Sequence, residues 1–287
     1  MTPAQLIDHC ANALLEAHVS FGQGTLNAED EAAWLVLWRL GLPLDTDTAT
    51  LNDSLSAASE QAVLELLDER INTRKPLAYL TQEAWLQGVS FHVDERCLIP
   101  RSLIAEVLAE GSIDPWLNPD SSQALDLCTG GGSLAVLVAL AYPQMRVQAL
   151  DISNEALAVA AINIQRHDLQ ERVQLVSSDG LTNATGQFDL IVCNPPYVNA
   201  HSMSRLPPEF LAEPDLALAG GQDGMDFIRQ LLQDVPQYLH EDGVLVLEIG
   251  HEHEHFSVAF PDLDVVWLTT SAGDQQVLLL TKTALLA

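Results

Sequence analysis

Four stretches of this chain carry residues whose types and spacing suit chemistry. The first is "FDLIVCNPPY", Phe188 to Tyr197, where an apolar run ends in an amide, two prolines and an aromatic ring. Pro195 and Pro196 lack the N–H that a central strand needs, and each restricts the residue before it. A strand therefore stops at Asn194, and a stiff backbone holds an amide and a ring at its tip. The second is "DLCTGGGSLAV", in which Asp126, Cys128 and Thr129 lead into Gly130, Gly131 and Gly132 ahead of a helix. Glycines let a backbone turn sharply and approach a ligand, and a helix start offers free N–H groups. The glycines alone do not choose that ligand, because Gly130, Gly132 and Ala135 also fit the GxGxxA form of the dinucleotide fingerprint.

Acidic residues narrow the choice. In the third stretch, the apolar run "RVQALDIS", Asp151 can accept hydrogen bonds from both hydroxyls of a ribose. Asp179 ends the run after that, within reach of an adenine amino group, and Asp126 is placed to hold a cationic amino group. Each could merely cap a turn, but three at successive strand ends suit S-adenosylmethionine, which has a ribose, an adenine, an ammonium and a sulfonium but no phosphate. The fourth stretch, "HEHEH" from His251 to His255, has HExxH spacing. On a helix its outer histidines would share a face like zinc ligands, with Glu252 as base. It follows a strand directly and has no evident third ligand, so the expectation is a polar helix start and no metal. Arg101, after Pro100, either lines the cofactor pocket, holds substrate backbone or forms a salt bridge.

Those residues must be positioned by a chain of 287 residues, 48% of them hydrophobic. That length supports one large or two ordinary domains with a full core. Cys10, Cys97, Cys128 and Cys193 show neither CxxC spacing nor a disulfide framework. With no signal peptide and no apolar run near the ~18 residues of a membrane span, a soluble, cytoplasmic protein is expected. Forty acidic residues against 12 basic ones give a net charge of -28. Such a surface repels phosphate backbones, so nucleic acid is not expected as a direct substrate, whereas a basic protein is attracted.

Residues 1–83 read as a helical domain. "AEDEAAWLVLWRLGLP" opens on acids and stops at Gly41 and Pro43, and "ASEQAVLELLDERINTR" has helical spacing before Pro76. Residues 84–98 read as a β-hairpin linker with a Gly-containing turn, and 99–287 as an α/β domain. There, strands at 123–129, 146–153, 172–179, 188–194, 243–250, 264–270 and 276–282 alternate with helices, which implies a parallel sheet covered on both faces. Only "SAGDQ" separates the last two strands, so the final one is expected to run antiparallel.

The stretches "RKPLAYLTQEAWLQGVSFHVDERCLIPRS" and "EPDLALAGGQDGMDFIRQLL", together with "NPPY" after the fourth strand, resemble the protein-glutamine N5-methyltransferases. These are class I enzymes dependent on S-adenosylmethionine, and the likeness runs from about residue 30 onward. The form "VDER…IPRS", with Ser102 where the release-factor branch usually has proline and Cys128 where the general class has glycine, resembles the ribosomal-protein branch. "RSLI" departs from the more usual "RSPI". The resemblance implies a seven-stranded Rossmann-like sheet and a small helical N-terminal domain for substrate recognition. It also implies S-adenosylhomocysteine as product, and as client a basic ribosomal protein, the third of the large subunit. The alternatives are release factors, adenine N6 of nucleic acid, which the missing basic face opposes, and a non-enzymatic assembly factor, which the intact motif opposes.

The resemblance also gives the "NPPY" residues a task. An amide nitrogen is a poor nucleophile, because its lone pair is delocalised into the carbonyl. The side-chain oxygen of Asn194 and the backbone carbonyl of Pro195 would accept its two N–H groups, Pro195 and Pro196 would fix the carbonyl's direction, and Tyr197 would pack on the flat amide. Cofactor contacts are expected from Asp126, Cys128, Thr129, Gly130, Gly132, Asp151, Asp179, Asn194 and Arg101. Client selection is expected from the N-terminal helices and the loop 198–224.

Overall fold

The computed structural model describes residues 1–287. Four helices come first: α1 (Pro3–Glu16), α2 (Ala28–Leu40), α3 (Ala57–Thr73) and α4 (Leu77–Thr81). Their ends follow local chemistry. Asn27 caps α2 by accepting from the Asp30 N–H, with Glu29, Asp30 and Glu31 in the first turn, and Gly41 closes it in the left-handed region. Ser56 caps α3, which ends ahead of Pro76 as the pattern predicts. A hairpin of β1 (Glu83–Leu86) and β2 (Val89–His92) follows, turning at Gln87 and Gly88.

The expected seven strands are all present, in one sheet. They are β3 (Gln123–Leu127), β4 (Arg146–Asp151), β5 (Val173–Ser177), β6 (Phe188–Cys193), β7 (Leu239–Glu248), β8 (Val266–Thr270) and β9 (Gly273–Thr281). The order is β5-β4-β3-β6-β7-β9-β8, and β9 is antiparallel to both its neighbours. The order reverses between β3 and β6, so the switch point opens between the carboxyl ends of those two strands. Side chains alternate between two cores: Leu190 and Val192 of β6 face one, Ile191 and Cys193 the other. A strand buried on both faces reads as a continuous apolar run, which is why "FDLIVC" has no polar phase.

Helices cover the sheet. α5 (Ile104–Ala109), α6 (Ser133–Ala141), α7 (Asn154–Arg166), α8 (Ala200–Met203), α9 (Asp226–Asp234), α10 (His253–Ala259) and α11 (Lys282–Leu286) complete the chain. Several boundaries differ from the sequence pattern, among them β9, which starts three residues early at Gly273. β7 starts four residues early, at Leu239. α9 gives way at Val235 to a tighter turn containing Pro236, which cannot continue the helix. α10 begins at His253, leaving His251 and Glu252 in the turn before it. No helix is long and apolar enough to cross a membrane.

The hairpin does not hang free. Asn163 of α7 accepts from the His92 N–H at 2.7 Å and donates to the His92 carbonyl at 2.9 Å. The core of the N-terminal helices runs on through Cys97 and Ile99 to Ala156 and Val159 of α7. The loop 198–224 is tied back to those helices by Glu209, whose side chain is fully buried. Its Oε1 lies 2.8 Å from Arg74 Nε and 3.7 Å from Arg70, and accepts from the Ser20 N–H at 3.2 Å. Arg70 is itself buried against Glu31 at 2.7 Å. Removing one partner of a buried pair strands the other. Glu209→Ala is therefore expected to cost about 3 kcal/mol, read as a lower urea midpoint, and to make the loop 198–224 the first site of limited proteolysis.

Candidate active site

Two cavities meet at the carboxyl ends of β3 and β6. The larger encloses about 860 Å³, partly open to solvent, and its walls include Cys128, Gly130, Asp151, Asp179, Asn194 and Pro196. The second encloses about 670 Å³ and is lined by Arg101, Pro195, Tyr197, Ser202, Phe210 and His251 among others. Asn194, Leu98 and Ala217 belong to both, so the "NPPY" segment forms the partition between them.

The acidic residues separate into two kinds. Asp151, at the tip of β4, accepts from the Gly130 N–H at 2.8 Å and the Ser153 N–H at 2.9 Å, which aims its carboxylate along the cleft wall. Burial raises its pKa against the pull of those bonds. Asp179 is exposed on the same wall, and its carboxylate is free of protein partners. These two aspartates, the glycine turn and Ile152, which is 49% exposed just past β4, share one wall, which offers carboxylates to hydroxyl or amino donors beside an apolar surface.

Asp126 behaves otherwise. It is fully buried under the glycine turn rather than on the cleft wall. Its Oδ2 accepts from Thr129 Oγ at 2.6 Å and from the Ala135 N–H in the first turn of α6 at 2.8 Å, while Oδ1 has no partner. Thr129 therefore also serves the turn and not the cleft. Gly132 is displaced from the cleft too: a Cβ there would lie 3.0 Å from that of Ala160, so its role is close packing of α6 against α7 at φ +81°. Cys128 does line the cleft, held at φ +61°, where a non-glycine residue is strained.

Of the readings open for Arg101, the structure shows the salt bridge. The residue lines the second cavity and not the larger cleft. Its guanidinium binds Glu213 through two contacts, at 2.6 and 2.8 Å, and lies 5.6 Å from the centre of the Phe210 ring. Its charge is thereby neutralised. The "HEHEH" stretch is likewise engaged internally. Buried Glu252 accepts from Asn199 Nδ2 at 2.6 Å and contacts His251 and His255 at 3.0 and 2.5 Å. It braces the chain just beyond "NPPY".

Sequence reasoning did not single out Leu98, Ile152, Ser153, Ser178, Gly180 or Phe227, all on the cleft wall. Leu98 and Phe227 lie within "CLIPRS" and "GMDFIRQ", but an apolar residue in an otherwise helical or turn pattern gives no sign that it faces a ligand. Ile152 offered a signal, being an isoleucine placed one step beyond an acidic strand end.

The sheet, its switch-point cleft and the partitioned second cavity define a Rossmann-like methyltransferase. Residues 113–222 match the family described as "Methyltransferase small domain". A solved methyltransferase from Pyrococcus furiosus superimposes with a TM-score of 0.50 at 20% identity, covering 69% of this chain and 90% of that one. The chain is 50% identical to a ribosomal protein uL3 glutamine methyltransferase of Bordetella pertussis, over 98% of this chain and 95% of the relative. It is 46% identical to one of Neisseria gonorrhoeae, over 94% and 91%. The chain belongs to the ribosomal protein uL3 glutamine methyltransferase family.

Burial pushes Asp126 up from 3.8 to about 7, against the hydrogen bonds from Thr129 and Ala135. An acid whose folded pKa is raised contributes stability that is full below its unfolded pKa and is lost as pH rises through the folded one. Between about pH 4 and pH 7 the folded state holds a proton that the unfolded state has released. Stability is expected to fall across that window, by up to ~1.4 kcal/mol per pH unit from this group. Asp126→Asn removes this titration, so the urea midpoint of wild type minus that of the variant is expected to rise as pH falls from 8 to 4.

Proposed function

We propose that this chain transfers a methyl group from S-adenosylmethionine to the side-chain amide nitrogen of a glutamine in ribosomal protein uL3. The names of the relatives support the reaction and the client. The observation that carries the mechanism is at the partition: neither the Asn194 side chain nor the Pro195 carbonyl is hydrogen-bonded to another protein group, though both border the second cavity.

In this reading the larger cleft takes the cofactor. Asp151 would accept from the ribose hydroxyls, Asp179 from the adenine amino group, and Gly130 and Cys128 would let the backbone come close. When bound, the cofactor supplies a methyl group on a sulfonium and is left as S-adenosylhomocysteine.

The second cavity takes the glutamine side chain. The Asn194 side-chain oxygen and the Pro195 carbonyl accept its two N–H groups, which turns the nitrogen lone pair toward the larger cleft. The consecutive prolines fix that carbonyl with little freedom to lose. Positioning of this kind can supply up to ~7–11 kcal/mol of the barrier. Positive charge grows on the nitrogen as the bond forms, and pairing of Arg101 with Glu213 keeps the cavity from opposing it. The methylated amide then gives up its extra proton to water. The helices of residues 1–83 and the loop 198–224 supply the client surface, and the net charge of -28 attracts a basic ribosomal protein.

Two outcomes are expected. Asn194→Ala should lower kcat on uL3 by ~10²–10³-fold, in line with loss of one transition-state contact, with cofactor affinity by calorimetry within a few-fold of wild type. Full activity in that variant would remove the mechanism. Asp151→Ala should instead weaken S-adenosylmethionine binding at least tenfold, while Asp126→Asn has a smaller effect. Incubation with labelled cofactor and purified uL3 or release factor, with mass mapping, checks the client, and label on the release factor alone would overturn uL3.

A further inference from the structure

Glu248 ends β7, one step past the pair Cys193↔Leu247, which sets it beside Asn194. It is 3% exposed and has no cation partner, so its carboxylate depends on neutral donors. Oε2 accepts from Ser102 Oγ at 2.5 Å and from the Leu103 N–H at 2.9 Å, and Oε1 accepts from Tyr197 Oη at 3.2 Å. Ser102 directly follows Arg101, and both Arg101 and Tyr197 line the second cavity. Glu248 itself is absent from both cavity walls. The Tyr197 ring is also backed by Gly250, where a Cβ would come within 2.7 Å of its Cζ. At φ +53° that position already favours glycine.

We propose that Glu248 is a positioning residue for methyl transfer, joining the Arg101 wall and the Tyr197 wall of the acceptor cavity through one buried carboxylate. Ser102 and Tyr197 come from segments 95 residues apart, by the difference of their numbers, and both contact the same group. The hydroxyl of Tyr197 is spent on Glu248, so only its ring face is offered to the amide. The ring's angle is set by the carboxylate behind it and the glycine beneath it. This inference rests on the reading of the second cavity as the glutamine pocket.

The test is a pair of double-mutant cycles on uL3 methylation, with S-adenosylmethionine affinity and Tm measured for each variant. In the first, Glu248→Gln keeps the shape but puts an amide NH2 in place of one acceptor oxygen, and Tyr197→Phe removes one donor. Glu248→Gln is expected to lower kcat at least tenfold with cofactor Kd within twofold, and the double variant to lose little more than the worse single one. The second cycle pairs Ser102→Ala with Tyr197→Phe and leaves the carboxylate in place, so it holds should Glu248→Gln fail to fold. Because those two side chains communicate through Glu248, their combined loss is expected to depart at least threefold from the product of the single losses. An active wild type with kcat unchanged in Glu248→Gln, or with both cycles multiplicative within twofold, overturns the inference alone. A wild type that binds the cofactor and methylates no glutamine overturns the underlying reading, and this inference with it.

Discussion

A buried carboxylate must be matched by donors or it unfolds what surrounds it. In this chain that constraint governs the site. Glu209, Glu213, Glu248 and Glu252 are all buried, and each joins segments far apart in sequence. Glu209 fastens the loop 198–224 to α3 and the chain beyond it through Arg70 and Arg74. Glu213 fastens the same loop to Arg101 and to the Ile99 N–H. Glu252 holds Asn199. With only 12 basic residues for 40 acidic ones, three of those cations are committed to this loop. The acidity is thus not only a solvent-facing coat.

Those ties explain how an irregular loop can wall a site that needs accurate placement. The sheet supplies the floor: β6 must stop at Cys193 because the prolines beyond it cannot donate to a ladder. β4 delivers Asp151 at the same end of the sheet, since parallel strands align their carboxyl ends. The roof has no such regular support. Its position follows from side-chain pairs, and the N-terminal helices enter the architecture as the place where those pairs are anchored.

The sheet was legible because burial on both faces leaves apolar runs of strand length bounded by Gly, Pro and Asp, so all seven strands are found, with β7 and β9 starting early. Asp151, Asp179, Cys128, Gly130 and the "NPPY" residues line the two cavities, at the strand ends where the pattern puts them. Asp126, Thr129 and Gly132 share the glycine motif yet lie behind the cleft, because sequence proximity does not say which side of a turn a group faces. Arg101 and Glu213 are 112 residues apart, and no local pattern announces such a partner. The HExxH residues do not lie within one helix: α10 starts only at His253, and Glu252 braces the loop through Asn199.

The place of β9 has a consequence for how the protein comes into being during translation. β7, which ends at Glu248, pairs with β6 on one side and with β9 on the other, and β9 lies between β7 and β8. Residues 273–281 must therefore slot into a gap between strands made earlier. Until they leave the ribosome, β7 presents an open ladder and the tip that carries Glu248 lacks its neighbour. An open ladder is adhesive, so the sheet is prone to wrong pairing until β9 is in place.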